Sequence, residues 1–322
     1  MAHQPVQADS DEGAHGAPAR RPGFAVRAHL RPAPGLHGPV PRQLPDPRLE
    51  KKLLRQAGQA IARFGLIDDG DRILVCLSGG KDSFALLHIL QLLQQRAPIR
   101  FELVACNLDQ GQPGFPAEVL EGYLREQHVE AALLFEDTYA VVKRLVPEGK
   151  TTCSVCSRLR RGILYSAAKR LGCSKIALGH HRDDLIESLL MSMLFTGKTR
   201  SMPPKLRSRD GQSTVIRPLC GVAEKDLAAF AGSAGFPIIP CNLCGSQENL
   251  QRKRVKRLLG DLDREHGGGV RESLFAAMGN VMPEHLLDQR LQQGPAVGPD
   301  LWIEEEEACE APALAKLRVE RE

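Results

Sequence analysis

Aromatic residues are scarce in this chain: one Trp, three Tyr and ten Phe make up 4% of its 322 residues. Apolar content is still 42%, enough for a real core in one large domain or two modest ones. No apolar run approaches the ~18 residues of a membrane-spanning helix, so no transmembrane segment is expected. The opening MAHQPVQADSDEG has no basic stretch followed by an apolar one. No secretory leader is visible, and a cytoplasmic location is expected. No internal repeat is present. In such a compartment nine cysteines do not make a disulfide framework, and metal binding or thiol chemistry is the better expectation.

What is present is unevenly spread. The net charge of +4 divides into +2 over residues 1–45, +7 over 46–290 and −5 over 291–322. A basic body suits a polyanionic partner such as nucleic acid, though a solvated mixed-charge surface explains the charge equally well. Residues 1–45 carry eight prolines and five glycines with little apolar periodicity, and are expected to form a disordered head. Residues 291–322, with EEEEACEAPALAKL, read as a flexible acidic tail containing the isolated Cys309.

Between head and tail, strand and helix patterns alternate. RILVCL (72–77), FELVACNLD (101–109), AALLFE (131–136) and SKIALGHH (174–181) read as buried strands. KDSFALLHILQLLQQ, AEVLEGYLREQ, the segment from Cys153 to about Leu171, and DDLIESLLMSMLF read as helices. TVIRPL and FPIIPC look like later short strands. Such alternation predicts the α/β class, with βαβ units wound into a doubly wound parallel sheet. From GSQENLQRKRVKRLL onward the pattern is helical, predicting a C-terminal helical subregion at about 245–290 packed on the same core.

The first of these strands runs straight into SGGKDS (78–83) and then into a helix. Gly79 and Gly80 permit a tight turn, the helix start adds partial positive charge, and Lys81 adds a full one. Ser78 and Ser83 add hydroxyls, and Asp82 completes the string, which suits an anion with several oxygens. It is not a Walker A loop: Val75 stands at the first glycine position, and Asp82 in the Ser/Thr slot. The loop resembles that of the ATP pyrophosphatases, or PP-loop enzymes. That resemblance implies ATP bound through its β- and γ-phosphates, and attack by a nucleophile on the α-phosphate.

A second element, GHHRDD (179–184), closes the fourth of these strands. If that strand lies beside the first, Gly179, His180 and Asp184 face the loop. Gly179 would allow close approach of a nucleotide, and Asp184 or Asp183 would hold Mg²⁺ or an incoming donor group. A helix cap explains the aspartates equally well on spacing alone. Asn107 and Asp109, ending the second of these strands, are further nucleotide candidates.

The cysteines offer two C-x-x-C pairs. Cys153 and Cys156 are i and i+3, so on a helical first turn they share a face. The helix N-terminus and Arg158, Arg160 and Arg161 favour thiolates there. Cys241 and Cys244 form the second pair. A Cys₄ zinc site, a redox or persulfide pair and an iron–sulfur cluster are all compatible with four such thiols. A zinc ribbon is disfavoured by the 84 residues between the pairs. Cys76, Cys106 and Cys173 lie in or near buried strands and read as core thiols. Cys220 has no assigned role.

Taken together, CSVCSRLRRGILY, KIALGHHRDDLIESLLM, MPPKL, IRPL and FPIIPCNLCGSQENLQR closely resemble the tRNA 2-thiocytidine synthetases (the TtcA family) over about residues 48–287. The fold implied is the PP-loop form of the adenine nucleotide alpha-hydrolase (HUP-like) sheet. The resemblance implies that Cys153, Cys156 and Cys244 bind one 4Fe–4S cluster whose open iron carries sulfur, with Cys241 a neighbour. It implies ATP-dependent thiolation of cytidine 32 in the tRNA anticodon loop: the C2 oxygen is adenylated, with Lys81 and Asp184 in the chemistry, and sulfur then displaces AMP. A cysteine desulfurase is implied as sulfur donor, and a homodimer as the assembly.

Two basic clusters are RNA-contact candidates: Arg158, Arg160 and Arg161, and, in QRKRVKR (251–257), Arg252, Lys253, Arg254, Lys256 and Arg257. A solvated helical face is the alternative for the second. Base stacking would fall to Tyr165, Phe195 or an arginine plane. Rival functions are a lysidine synthetase, a zinc-bearing thiouridine synthetase and a zinc-stabilised RNA-binding module. The first needs no C-x-x-C pairs. The second needs terminal pairs absent here, since no cysteine precedes Cys76 and only Cys309 follows Cys244.

Overall fold

The structure, a computed structural model, describes residues 24–31, 43–146, 153–208, 211–239 and 251–287. In chain order these form β1 (Ala25–Leu30), α1 (Pro47–Phe64), β2 (Asp71–Leu77), α2 (Lys81–Arg96), β3 (Phe101–Asp109), α3 (Ala117–Glu126), β4 (Glu130–Phe135) and α4 (Thr138–Leu145). There follow α5 (Cys153–Arg170), β5 (Lys175–Ala177), α6 (Arg182–Thr196), β6 (Lys205–Arg207), β7 (Thr214–Ile216), α7 (Glu224–Ala234), α8 (Gln251–Glu265) and α9 (Val270–Ala277). Two compact units divide the chain after Arg271. The first carries the sheet and α1 to α8; the described part of the second holds most of α9 and a single 3-10 turn at Pro283–His285.

The sheet order is β1-β4-β3-β2-β5-β7-β6. Pairings from β4 through β7 are parallel, and β1 and β6 close the two edges antiparallel. The expected parallel sheet is therefore present, with an antiparallel strand at each edge. From β2 the chain winds outward through β3 and β4, then returns to place β5 on the other side of β2. Strand order thus reverses between β2 and β5, and the crevice at their carboxyl ends is where such a sheet takes ligands.

Alternation along the strands makes two apolar layers. Ile73, Val75 and Leu77 of β2 pack on one face with α2, α3 and α7, while Leu74 faces Leu164, Ala167 and Ala168 of α5. Helix α2 is buried along most of its length, from Ser83 to Leu92, because it lies between the sheet and other helices. Each fully buried leucine there contributes roughly 1.5–3 kcal/mol. Phe84 and Phe236 stack with centroids 5.6 Å apart, tying the stretch after α7 to α2.

Two expectations need correction. Residues 25–30 lie within the head expected to be disordered, yet they form β1, because the edge of β4 offers a ladder to an extended segment. FPIIPC was expected as a strand; its described residues, 236–239, make none. Prolines at 237 and 240 remove two donors from any ladder. Ile239 N instead donates to Gly79 O at 2.8 Å, so the stretch braces the loop. Asn107 and Asp109, named as further nucleotide candidates, have partners within the fold at this same end of the sheet. Asn107 Nδ2 donates to Leu77 O at 2.8 Å, and Asp109 accepts from Arg27 and from Gly111 N. The sequence pattern alone does not single out α1, α4 or β6.

Candidate active site at the β2–β5 crevice

The loop after β2 is held by its own serines. Ser83 Oγ donates to Gly80 O at 2.8 Å, and Ser78 N donates to Ser83 Oγ at 3.2 Å. Gly80 N donates to Ser78 Oγ at 3.3 Å. Gly79 has φ +83°, and a side chain there would lie 2.8 Å from Ile239 Cδ1. Gly80 is the N-cap of α2, and among the described residues no side chain caps that helix. The N–H groups of Lys81 and Asp82, in the first turn, and the helix dipole are therefore left for an anion.

Lys81 Nζ reaches Asp82 Oδ2 at 3.0 Å and Glu224 Oε1 at 3.4 Å. Burial works to lower the Lys81 pKa, but the two carboxylates outweigh it and the net shift is upward. Lys81 is thus a fixed cation beside the uncapped helix. Asp82 Oδ1 is buried, with no hydrogen-bond partner among the described residues.

Strand β5 brings GHHRDD to this loop as the sequence implied. A Cβ on Gly179 would sit 3.0 Å from Asp82 C and O and 3.1 Å from Ser83 N. Only glycine lets these two backbones meet there. His181 Nε2 lies 3.9 Å from Asp82 Oδ2. His181 and Asp184 form a reciprocal cap at the start of α6, with His181 N donating to Asp184 Oδ2 at 3.1 Å. Asp183 is the structural member of the pair. Its Oδ2 accepts from Glu224 N at 2.8 Å, and its Oδ1 meets Arg271 Nε at 3.0 Å.

His180 faces Arg217, which follows β7. Arg217 donates through Nε to His180 Nδ1 at 3.3 Å and through Nη1 to Pro203 O at 2.6 Å. Burial, then the neighbouring Arg217, pull the His180 pKa down to about 4, so it is a neutral acceptor at pH 7. Arg217 is only 6% exposed, and among the described residues it has no carboxylate partner. Burial lowers its pKa as well. A buried guanidinium without a counter-ion at the carboxyl edge of a sheet is a waiting anion site.

Helix α8 closes the acidic side. Arg252 Nη1 lies 3.3 Å from Asp184 Oδ1, and Arg252 Nε lies 3.6 Å from Glu187 Oε2. Lys256 Nζ meets Glu224 Oε1 and Oε2 at 2.7 and 2.6 Å. Burial pushes the Glu187 carboxyl up to about 7, although Arg252 pulls the other way. Burial also opposes ionisation of Glu224, but Lys256 and Lys81 outweigh it and its pKa falls.

Cys156, in the first turn of α5, is half-buried. Its Sγ donates to Gln110 Oε1 at 3.1 Å. Gln110 follows β3 directly, and β3 pairs with β2, so this thiol stands at the same edge of the sheet as the phosphate loop.

A family model for the PP-loop domain matches residues 49–259. The chain is 61% identical over 272 residues to a tRNA-cytidine(32) 2-sulfurtransferase of Anaeromyxobacter dehalogenans (strain 2CP-C), covering 83% of this chain and 93% of that protein. It is 57% identical over 256 residues to the protein of the same name from Aeromonas salmonicida (strain A449), covering 80% and 84%. The chain belongs to the tRNA-cytidine(32) 2-sulfurtransferase family. Among solved structures, the U34-tRNA thiolase NcsA from Methanococcus maripaludis with its [4Fe-4S] cluster superposes with a TM-score of 0.57, at 21% identity, covering 74% of this chain and 80% of that one. At that identity the likeness establishes a shared fold.

In this family member the structure gathers Ser78, Gly79, Gly80, Lys81, Asp82, Ser83, Gly179, His180 and Asp184 around one crevice, as the motifs anticipated. The basic run of α8 divides. Arg252 and Lys256, one turn apart, pair with the acids of the crevice, Arg252 half-buried and Lys256 exposed, whereas Lys253, Arg254 and Arg257 are exposed and face away from those acids. Arg158, Arg160 and Arg161 are exposed on α5. The fields of Arg160 and Arg161 reach His180 and Arg217 respectively. The Cys153 side chain, Cys241 and Cys244 lie outside the described residues. Cys76, Cys106, Cys173 and Cys220 behave as core thiols: burial raises the first to about 12 and the last two to about 11, with Cys106 also well above the normal range.

Glu224, Arg217, Glu187 and Gln110 are the site residues that the sequence reading missed. Arg217 had a signal, because it sits in the IRPL string. The others stand in unremarkable contexts and are brought in only by tertiary packing.

The donor chemistry can be tested against the implied groups. Mg²⁺ with ATP takes one or two carboxylates and otherwise phosphate and water oxygens. Asp82, with an orphaned buried oxygen, and Asp184 fit that role. Among the described residues no cluster of three metal-binding side chains exists. Cys156, a half-buried thiol outside any disulfide, in a helical first turn and three residues from Cys153, fits the described part of a three-cysteine cluster site.

Proposed function

We propose that this chain activates the C2 oxygen of cytidine 32 in a tRNA anticodon loop with ATP and replaces that oxygen with sulfur, releasing AMP and diphosphate. The observation that carries this reading is the packing of Gly179 on the backbone of Asp82 and Ser83. It joins a phosphate-binding helix start to a second strand end carrying His180 and Arg217, at the one place where strand order reverses.

In this reading, the β- and γ-phosphates of ATP sit on the N–H groups at the start of α2, and Lys81 neutralises charge on the departing diphosphate. Glu224 and Asp82 hold the ammonium in place. Arg217, buried and without a carboxylate partner among the described residues, receives the α-phosphate or the adenylated oxygen, and neutral His180 keeps its guanidinium oriented. Asp82 and Asp184 would hold Mg²⁺. Cys153, Cys156 and Cys244 would hold a 4Fe–4S cluster; when bound with three protein thiolates, that cluster leaves one iron position for a sulfur species. A desulfurase persulfide is the sulfur source proposed, its outer sulfur released at the sulfide level by a second thiol that supplies two electrons and leaves as a disulfide. Arg158, Arg160, Arg161, Lys253, Arg254 and Arg257, all exposed, are the cations left to meet tRNA phosphates. A homodimer in the cytoplasm is the proposed setting. No described helix is long and apolar enough to cross a membrane.

The test is nucleoside mass spectrometry of tRNA from a strain lacking the gene, with and without complementation. 2-Thiocytidine should vanish and return. If it persists in the deletion strain, the substrate assignment is wrong.

A further inference from the structure

Gln110 is placed with unusual care for a surface-edge glutamine. The turn after β3 depends on Gly111, whose φ is +73° and where a side chain would lie 2.8 Å from Asp137 Oδ1. Asp109, one residue before, is pinned by Arg27 of β1 at 2.8 Å and by Gly111 N at 2.9 Å. The Gln110 carbonyl accepts from Tyr139 N at 3.0 Å, which docks the turn on the start of α4. Its side-chain Oε1 then receives two donors: Thr138 Oγ1 at 3.2 Å and Cys156 Sγ at 3.1 Å. Thr138 is only 3% exposed, so its hydroxyl is a fixed partner.

The chemistry of an amide suits a sulfur that changes state. As drawn, Oε1 accepts from a thiol S–H and from the threonine hydroxyl. Once the sulfur binds iron it loses that proton and becomes an acceptor. A half-turn of the amide then presents Nε2, whose two hydrogens serve the sulfur and Thr138 Oγ1 together. A glutamate in this place would only accept, and would repel a thiolate.

We propose that Gln110 is a positioning residue that hydrogen-bonds the Cys156 sulfur when it ligates iron, and so sets the reduction potential and the retention of the bound cluster. This rests on the reading that Cys156 is a cluster ligand. Hydrogen bonds to ligand sulfurs raise the potential, because they drain charge from the thiolate, and partners that orient metal ligands govern how tightly the metal stays.

The experiment compares anaerobically reconstituted full-length protein with Gln110→Leu, Gln110→Glu and Thr138→Val. Two quantities are read: the cluster's midpoint potential by EPR-monitored titration, and the rate of iron loss to a chelator. Gln110→Leu should shift the potential negative and lose iron about 10-fold faster. Gln110→Glu should go further in both. Thr138→Val, which frees the amide without touching sulfur, should move both in the same direction by less. A merely structural glutamine would leave the potential unmoved, and wild-type potential and iron retention in all three variants would overturn the proposal. If circular dichroism shows that the Gln110 variants fail to fold, Thr138→Val decides alone. A wild-type protein that takes up no iron would instead remove the ligation reading, and this proposal with it.

Discussion

Arg252 of α8 spans the two acids of α6, with Asp184 at 3.3 Å and Glu187 at 3.6 Å. A guanidinium therefore sits on the carboxylate expected to help hold Mg²⁺. If Mg²⁺ binds there as proposed, the cation and the arginine would compete for one oxygen, and part of any magnesium requirement would reflect displacing the arginine. Arg252→Ala should lower the Mg²⁺ concentration for half-maximal AMP formation several-fold. A Mg²⁺ titration of tRNA-dependent AMP release checks this, and an unchanged midpoint would show that Asp184 does not serve the metal.

Glu187 predicts a pH signature. Burial raises its carboxyl from 4.5 to about 7 in the folded chain. The folded state therefore binds a proton more tightly than the unfolded state between those values, and stability falls as pH rises through that window. Glu187→Gln cannot ionise, so its thermal midpoint should fall less than that of wild type from pH 4.5 to about 7. Parallel melting curves across that range measure the difference.

Gly179→Ala tests the contact between β5 and the loop. The new methyl would meet backbone atoms at 3.0 Å, which cannot swing aside as a side chain would. Overpacking of this kind costs about 1–3 kcal/mol. The loop rather than the core should yield, so ATP-dependent AMP release should fall at least 10-fold while urea unfolding changes modestly. Normal activity would mean that the loop has slack at this point.

The cysteines should separate cleanly. Cys156→Ser should abolish iron binding and thiolation together. Cys173→Ala, at a thiol that burial holds protonated, should keep both and lose only some stability. Iron content per chain and 2-thiocytidine content of tRNA report the two effects independently.

Much of this site was legible because its parts are local. SGGKDS and GHHRDD each lie on a strand–helix junction, and the alternation of strands and helices was enough to put both at one sheet edge. Sequence spacing did not reveal which members of a charged run pair with acids. Arg252 and Lys256 differ from Lys253 and Arg257 only by helical phase, and that phase is set by where Val255 and Leu259 bury. FPIIPC misled because β-branched residues suggest a strand, whereas its prolines make it a brace. Gln110 was invisible because nothing near it in the chain hints at Cys156, 46 residues on.

Strand β1 has a wider consequence. It covers the outer edge of β4, where otherwise a row of backbone N–H and C=O groups would face water. A chain shortened to begin at residue 45 would leave that row open to strands from other molecules and would release Asp109 from Arg27. Such a shortened protein should form oligomers in light scattering as its concentration rises. Its solubility, and not only its chemistry, depends on six residues that composition alone would discard.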